Sequence, residues 1–168
     1  MTFEPVHYRR ATSEDAWELI GVHYAAVHSI GKGVYPDVVL FAWSPPPDEP
    51  RRKQIADLIA QDHVICIVAE CEARTVAFGI ALPAQGWIRA LYVHPDHGGK
   101  GIGQRLLHGL EVQCQSVGVA ALEVKASHNA EGFYRRCGYE VVGPASQELT
   151  TTLSMAAVHM VKRFVSGR

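Results

Sequence analysis

The residues best suited to chemistry lie in one stretch, Leu91-Tyr92-Val93-His94-Pro95-Asp96-His97-Gly98-Gly99-Lys100-Gly101-Ile102-Gly103. A β-rich run ends at Val93, a glycine-rich loop follows, and an amphipathic pattern begins at Gly101. The first turn of a helix holds backbone N–H groups without intrahelical partners and carries the positive end of the helix dipole, so it attracts anions and phosphate above all. Glycines let the backbone approach such an anion with no Cβ in the way, and Lys100 adds a positive charge nearby. The spacing is not that of a P-loop or of the dinucleotide fingerprint, because the glycines fall at 98, 99, 101 and 103. The plainer reading is a glycine-rich loop that only turns the chain. His94 and His97 flank Pro95 without further ligands in a metal-binding pattern, so no metal site is expected.

A second constellation follows, Ser127-His128-Asn129-Ala130-Glu131-Gly132-Phe133-Tyr134-Arg135-Arg136-Cys137-Gly138-Tyr139. Taken in order, the two stretches resemble the GCN5-related N-acetyltransferase (GNAT) family. The family's phosphate loop runs Gln/Arg-x-x-Gly-x-Gly/Ala. Gly101 and Gly103 stand at its small-residue positions, Gly99 and Lys100 match common fillers, and Gly98 departs from the usual Gln/Arg. The second stretch is similar to the family's Ser/Asn-x-x-Ala-x-x-Phe-Tyr-x-x-x-Gly-Phe/Tyr pattern. The resemblance is strongest from Trp87 to Val142 and extends weakly to a helix starting at Thr12.

The resemblance implies an acetyl-CoA-dependent N-acetyltransferase acting on the amine of a small molecule. Two other readings go with it: a protein or peptide N-acetyltransferase, and a non-catalytic acyl-CoA-binding sensor module. Leu91, Tyr92 and Val93 would meet the thioester and pantetheine. Gly98, Gly99, Lys100, Gly101, Ile102 and Gly103 would hold the pyrophosphate. Ser127, Asn129 and Phe133 would flank the pantetheine arm. Tyr134 stands at the family's general-acid position. A phenol with a pKa of about 10 is a competent donor to a departing thiolate when it is within hydrogen-bond reach. The competing reading makes Tyr134 a core aromatic beside Phe133. Many relatives carry a basic Glu on the fourth strand, whereas this chain has Trp87 and Arg89 there. His28, Asp37, Glu70 and Glu123 are the remaining base candidates. Tyr24, Tyr35, Phe41 and Trp43 either line an apolar acceptor pocket or pack as core. A homodimer is compatible with the family.

The elements that must position these groups follow from periodicity. His7–Arg10 opens as a strand. Thr12 and Asp15 are spaced as a capping box before a helix over 16–28, which Gly31-Lys32-Gly33 ends. Trp43 to Asp48 is a proline-rich surface loop, and 49–61 a second helix. Val64–Ala69 and Thr75–Leu82 read as a hairpin, and Trp87–Val93 as the strand that follows it. In the run 101–117, Ile102, Leu106, Leu107, Leu110, Cys114 and Val117 recur at helical spacing. A strand over 121–125, a short helix over 130–137, and strands over 139–142 and 158–165 complete the chain. The order gives an α+β class: a GNAT-like mixed, mostly antiparallel central β-sheet flanked by about four helices.

The chain has 168 residues, which suits a single GNAT-like domain spanning 1–168. With 16 basic and 17 acidic residues it has no broad basic field, so nucleic acid is not an expected partner. The four cysteines form no C-x-x-C pair and read as reduced thiols. No apolar run reaches membrane-spanning length, and residues 1–5 lack a basic leader segment, so the expected location is cytoplasmic.

Overall fold

A hairpin of apolar, β-branched strands forms the centre of the molecule. In the computed structural model, which describes residues 5–165, β2 (Ile65–Cys71) and β3 (Arg74–Leu82) pair antiparallel. Their two-residue turn places Glu72 and Ala73 at φ 51° and 59°, the double left-handed geometry that matches strand twist. β1 (His7–Arg10) adds to β2, and β4 (Trp87–Val93) adds to β3, both antiparallel. Further along lie β5 (Ala121–Ala126), β6 (Glu140–Glu148) and β7 (Ser154–Arg163). The seven strands take the order β1-β2-β3-β4-β5-β7-β6. Only β4 and β5 run parallel, and they share a single registered pair, Trp87 with Glu123.

Helices cover both faces. α4 (Ile102–Ser116) and α5 (Glu131–Arg136) pack on one, where Leu106, Leu107, Leu110 and Cys114 meet Ile67, Leu122, Val124, Met160 and Tyr134. α1 (Ala16–Ile30) and α3 (Glu49–Ile59) pack on the other, where Leu19, Val22 and Ile59 meet Val64, Cys66, Val68, Phe78 and Ile80. α2 (Asp37–Trp43) belongs to a third cluster, in which Tyr35, Val39 and Leu40 join Val27 of α1 to Met155 of β7.

Local chemistry sets the helix ends. Asp15 accepts from the Thr12 N–H at 2.7 Å and is clamped by Arg9, as the capping-box spacing predicts. Asp48 accepts from the Arg51 N–H at 2.9 Å at the start of α3. The mixed, largely antiparallel sheet agrees with the sequence reading.

The structure differs from the expected elements at four points. The described residues include a fifth α-helix, α2, which Pro36 opens in a segment to which the sequence pattern assigns no element. Trp43 ends that helix instead of starting a loop. β6 runs on to Glu148 through Gly143 and Pro144, since an edge strand tolerates proline and absorbs a register shift between Val141 and Gly143. β7 begins at Ser154, four residues before the expected Val158.

No disulfide joins the cysteines; Cys66 and Cys114 are buried in the core. Among the described residues, no helix is long and apolar enough to cross a membrane.

Candidate active site

The single pair between β4 and β5 leaves a gap in the middle of the sheet. Downstream of Trp87, the side of β4 that faces β5 has no ladder partner. The ladder to β3 also slips there: Ile88 pairs with Ala81 and Ala90 with Ile80, so Arg89 is skipped as a bulge. The bulge turns Ile88, Leu91 and Val93 to the α4 face, and Ala90 and Tyr92 to the α1 face.

Two chambers occupy the gap. The larger, about 190 Å³, is lined by Ala26, Val27, Ile30 and Gly31 of α1 and its cap, by Leu91, Tyr92 and Val93 of β4, and by Gly103, Asn129 and Phe133. The smaller, about 50 Å³, is bordered by Arg89, Lys125, Gln147 and Met155. Trp43, Leu91, Tyr92, Ser127, Ala130 and Tyr134 wall both.

The loop before α4 has the geometry of an anion cradle. Gly99 and Gly101 sit at φ 72° and 77°, and a Cβ at either would meet no atom within 4 Å. The left-handed backbone, not crowding, is what calls for glycine there. Gly101 caps α4, so the helix's first N–H groups open onto the loop. Gly98 differs: its φ is −64°, which any residue adopts. Gly103 is a packing glycine, with Phe133 and Val93 at 3.4 Å from its would-be Cβ. The side chain of Ile102 is buried in the core, which leaves only its backbone for a ligand. Lys100 is exposed, with Nζ 3.4 Å from the Asp96 carbonyl oxygen. Of the loop residues, Gly103 alone lines a chamber; Gly98 to Gly101 lead into α4, which Gly101 caps.

Tyr134 stands between the chambers. Its ring is buried and edge-on to Phe133 and Tyr139. Its hydroxyl has no hydrogen-bond partner among the described residues, and it is not one of the sealed-off polar atoms either, so it opens to the cavity. Burial, with Tyr92 and Cys137 adding to it, pushes this phenol far above its usual pKa. Burial likewise pushes Tyr92 up to about 12, against the Trp43 hydrogen bond and the Arg89 charge. Both phenols are therefore neutral O–H groups at pH 7.

A model of the acetyltransferase (GNAT) domain matches residues 47–162. The chain belongs to the GNAT family. It is an N-acetyltransferase, and acetyl-CoA is its donor. The fold is similar to that of a GCN5-related N-acetyltransferase from Rhodopseudomonas palustris, at 25% identity and a TM-score of 0.85 over 98% of this chain and 99% of that one. It is also similar to the PaiA N-acetyltransferase of Thermoplasma acidophilum, a structure containing coenzyme A, at 18% identity and a TM-score of 0.78 over 95% and 99% of the two chains. The ribosomal-protein-S18-alanine N-acetyltransferase of Escherichia coli shares the fold at 17% identity and a TM-score of 0.71, over 98% and 97% of the chains. No curated protein matches the chain in sequence.

In this GNAT chain the proposed base residues lie away from the gap. None of His28, Asp37, Glu70 and Glu123 lines a chamber. His28 Nε2 donates to the Ser44 carbonyl at 2.8 Å. Glu70 is bound by Arg9 at 2.6 Å. Asp37 is exposed in the first turn of α2. Glu123 is bonded to His159, whose ring stacks on Trp87 at 5.5 Å, just where β4 and β5 last pair. No Asp, Glu or His lines either chamber.

The aromatic candidates divide. Trp43 walls both chambers. Tyr35 is a latch: its hydroxyl donates to the Ala156 carbonyl at 2.7 Å and accepts from the His128 N–H at 2.9 Å. Tyr24 and Phe41 pack around the His28 ring, outside the cavity. Sequence reading missed Ala26, Val27, Ile30 and Gly31, as well as Gln147 and Met155. It also missed His23, whose ring lies against Tyr92 at 4.4 Å. Apolar residues on a helix face look the same whether they line a core or a cavity, so no local signal marked them.

Proposed function

We propose that this protein transfers the acetyl group of acetyl-CoA to the amine of a small molecule, with Tyr134 as the general acid. The observation that carries the reading is the position of the Tyr134 hydroxyl, unpartnered and open in the wall shared by two chambers.

The residues present fit the donor. The αL glycines at 99 and 101 and the first turn of α4 would bind the pyrophosphate, with Lys100 beside them. Leu91 and Val93, on the unpaired side of β4, would hold the pantetheine arm by backbone hydrogen bonds, with Ser127, Asn129 and Phe133 opposite. Bound acetyl-CoA supplies a thioester already activated for acyl transfer, so placement of the two reactants contributes much of the rate. The acceptor nitrogen attacks the carbonyl carbon, the carbon–sulfur bond breaks, and Tyr134 gives its proton to the departing sulfur. The nitrogen loses its surplus proton to solvent, which also returns one to Tyr134. With no carboxylate or imidazole on either chamber wall, the amine arrives neutral or deprotonates through water.

A small acceptor is favoured over a peptide because the Tyr35 latch ties the α2 segment to β7 and to the loop before α5. The four cysteines, unjoined by disulfides, support a reducing, cytoplasmic setting.

Two variants test the reading. Calorimetric titration with acetyl-CoA should show binding that Gly101→Trp abolishes. In the enzyme assayed at saturating donor, Tyr134→Phe should lower kcat by about 100-fold while leaving acetyl-CoA binding intact. Unchanged turnover would remove Tyr134 from the acid role.

A further inference from the structure

We infer that Arg89 selects the acceptor, and that the acceptor is an amine carrying a carboxylate, an amino acid or a short aminoalkanoic acid. The inference rests on the acetyl-transfer reading above and specifies what enters the second chamber.

Arg89 is the residue that the β4 ladder skips. A bulge re-aims the side chain it carries, and this one borders the smaller chamber. Its guanidinium has no hydrogen bond or ion pair among the described residues. The second cation of that chamber, Lys125, touches only the Ser146 carbonyl oxygen, at 3.0 Å. The carboxylate that β5 carries, Glu123, is committed to His159. The chamber therefore presents two cationic side chains and no anionic one.

Such a lining repels a polyamine or an aminoglycoside, whose extra ammonium groups would meet Arg89 and Lys125 with nothing to neutralise them. A carboxylate fits it. The planar guanidinium offers two parallel N–H donors to the two carboxylate oxygens, and an arginine without an internal partner gives up no ion pair to bind one. Leu91, two residues on from Arg89, walls both chambers, so the guanidinium and the proposed transfer site lie within reach of one small molecule. Trp43, Tyr92 and Met155 leave an apolar wall for the acceptor's side chain.

The experiment uses the full chain and Arg89→Gln, with CoA release measured for matched acceptors: α-amino acids and short aminoalkanoic acids, their carboxamides, and spermidine. The wild type should favour each acid over its amide by about tenfold or more in kcat/KM, the discrimination expected of a charge-assisted hydrogen bond. In Arg89→Gln the ratio should fall to near one through a higher KM for the acid, and Arg89→Lys should recover part of it. Calorimetric affinity for acetyl-CoA should be the same in all three proteins. The proposal is overturned if amides or spermidine match the acids, if the preference survives Arg89→Gln, or if a protein that binds acetyl-CoA acetylates none of the acids. A wild type that fails to bind acetyl-CoA sinks the acetyl-transfer reading itself.

Discussion

Trp43 Nε1 donates a hydrogen bond to the Tyr92 hydroxyl at 3.1 Å. The bond ties the end of α2 to the middle of β4, across the wall the two chambers share. Tyr92→Phe removes the acceptor and leaves the indole N–H unpaired. The expected cost is about 1 kcal/mol of stability, read as a lower midpoint in urea. The KM for the acceptor should rise as Trp43 loses its fixed position.

Behind Tyr92, His23 Nδ1 lies 3.1 Å from Ser44 Oγ and accepts from Arg51 Nη2 at 3.2 Å. Burial, then the charges of Arg51 and His28, bring its pKa down from 6.5 to about 3. An imidazole that resists protonation when folded but not when unfolded stabilises the unfolded chain as pH falls. The stability is thus full above pH 6.5 and is lost progressively toward pH 3. Chemical denaturation between pH 7 and about 4.5, above most carboxylates, should show a slope of up to one proton, about 1.4 kcal/mol per pH unit. His23→Gln should flatten that slope.

Glycines 98 and 101 should behave oppositely although three residues apart. Gly101→Ala forces a Cβ onto a backbone at φ 77°. It should cost about 1 kcal/mol and weaken acetyl-CoA binding in calorimetry. Gly98→Gln meets no such strain at φ −64° and should stay within about 0.5 kcal/mol of the parent. Its affinity for acetyl-CoA should be equal or higher.

The Tyr35 latch should matter to stability and to the acceptor. Tyr35→Phe loses both hydrogen bonds of the hydroxyl, to Ala156 and from His128. The expected outcome is a loss of roughly 1–2 kcal/mol in stability, read by urea denaturation, and a raised acceptor KM.

How much of this was legible depends on how local each feature is. The glycines around α4 could be read because left-handed caps and a helix start leave marks within a few residues, and Leu106, Leu107 and Leu110 repeat at helical spacing. α2 could not be read. It is seven residues long, and Val38, Val39, Leu40, Phe41 and Ala42 are apolar all round, so no periodicity separates the buried Val39 and Leu40 from the exposed Val38 and Phe41. The bulge at Arg89 is a property of two strands in register, and one strand's sequence does not encode it. Met155 reaches the same wall as Trp43 from more than a hundred residues away, through strand order alone. The base candidates were chosen by residue type, and type says nothing about which side of the sheet a carboxylate occupies.

The gap between β4 and β5 also has a thermodynamic meaning. A sheet ordinarily leaves backbone groups unsatisfied only at its outer margins; this one has a second pair of margins inside it, past Trp87 and Glu123. In the proposed binding mode an extended amide-bearing arm laid there would act as a surrogate strand and couple ligand occupancy to fold integrity. At a donor concentration of 100 times Kd the coupling adds about 2.7 kcal/mol to unfolding. The melting temperature of this protein should therefore serve as a gauge of its cofactor pool, rising with acetyl-CoA and settling back when the donor is withdrawn.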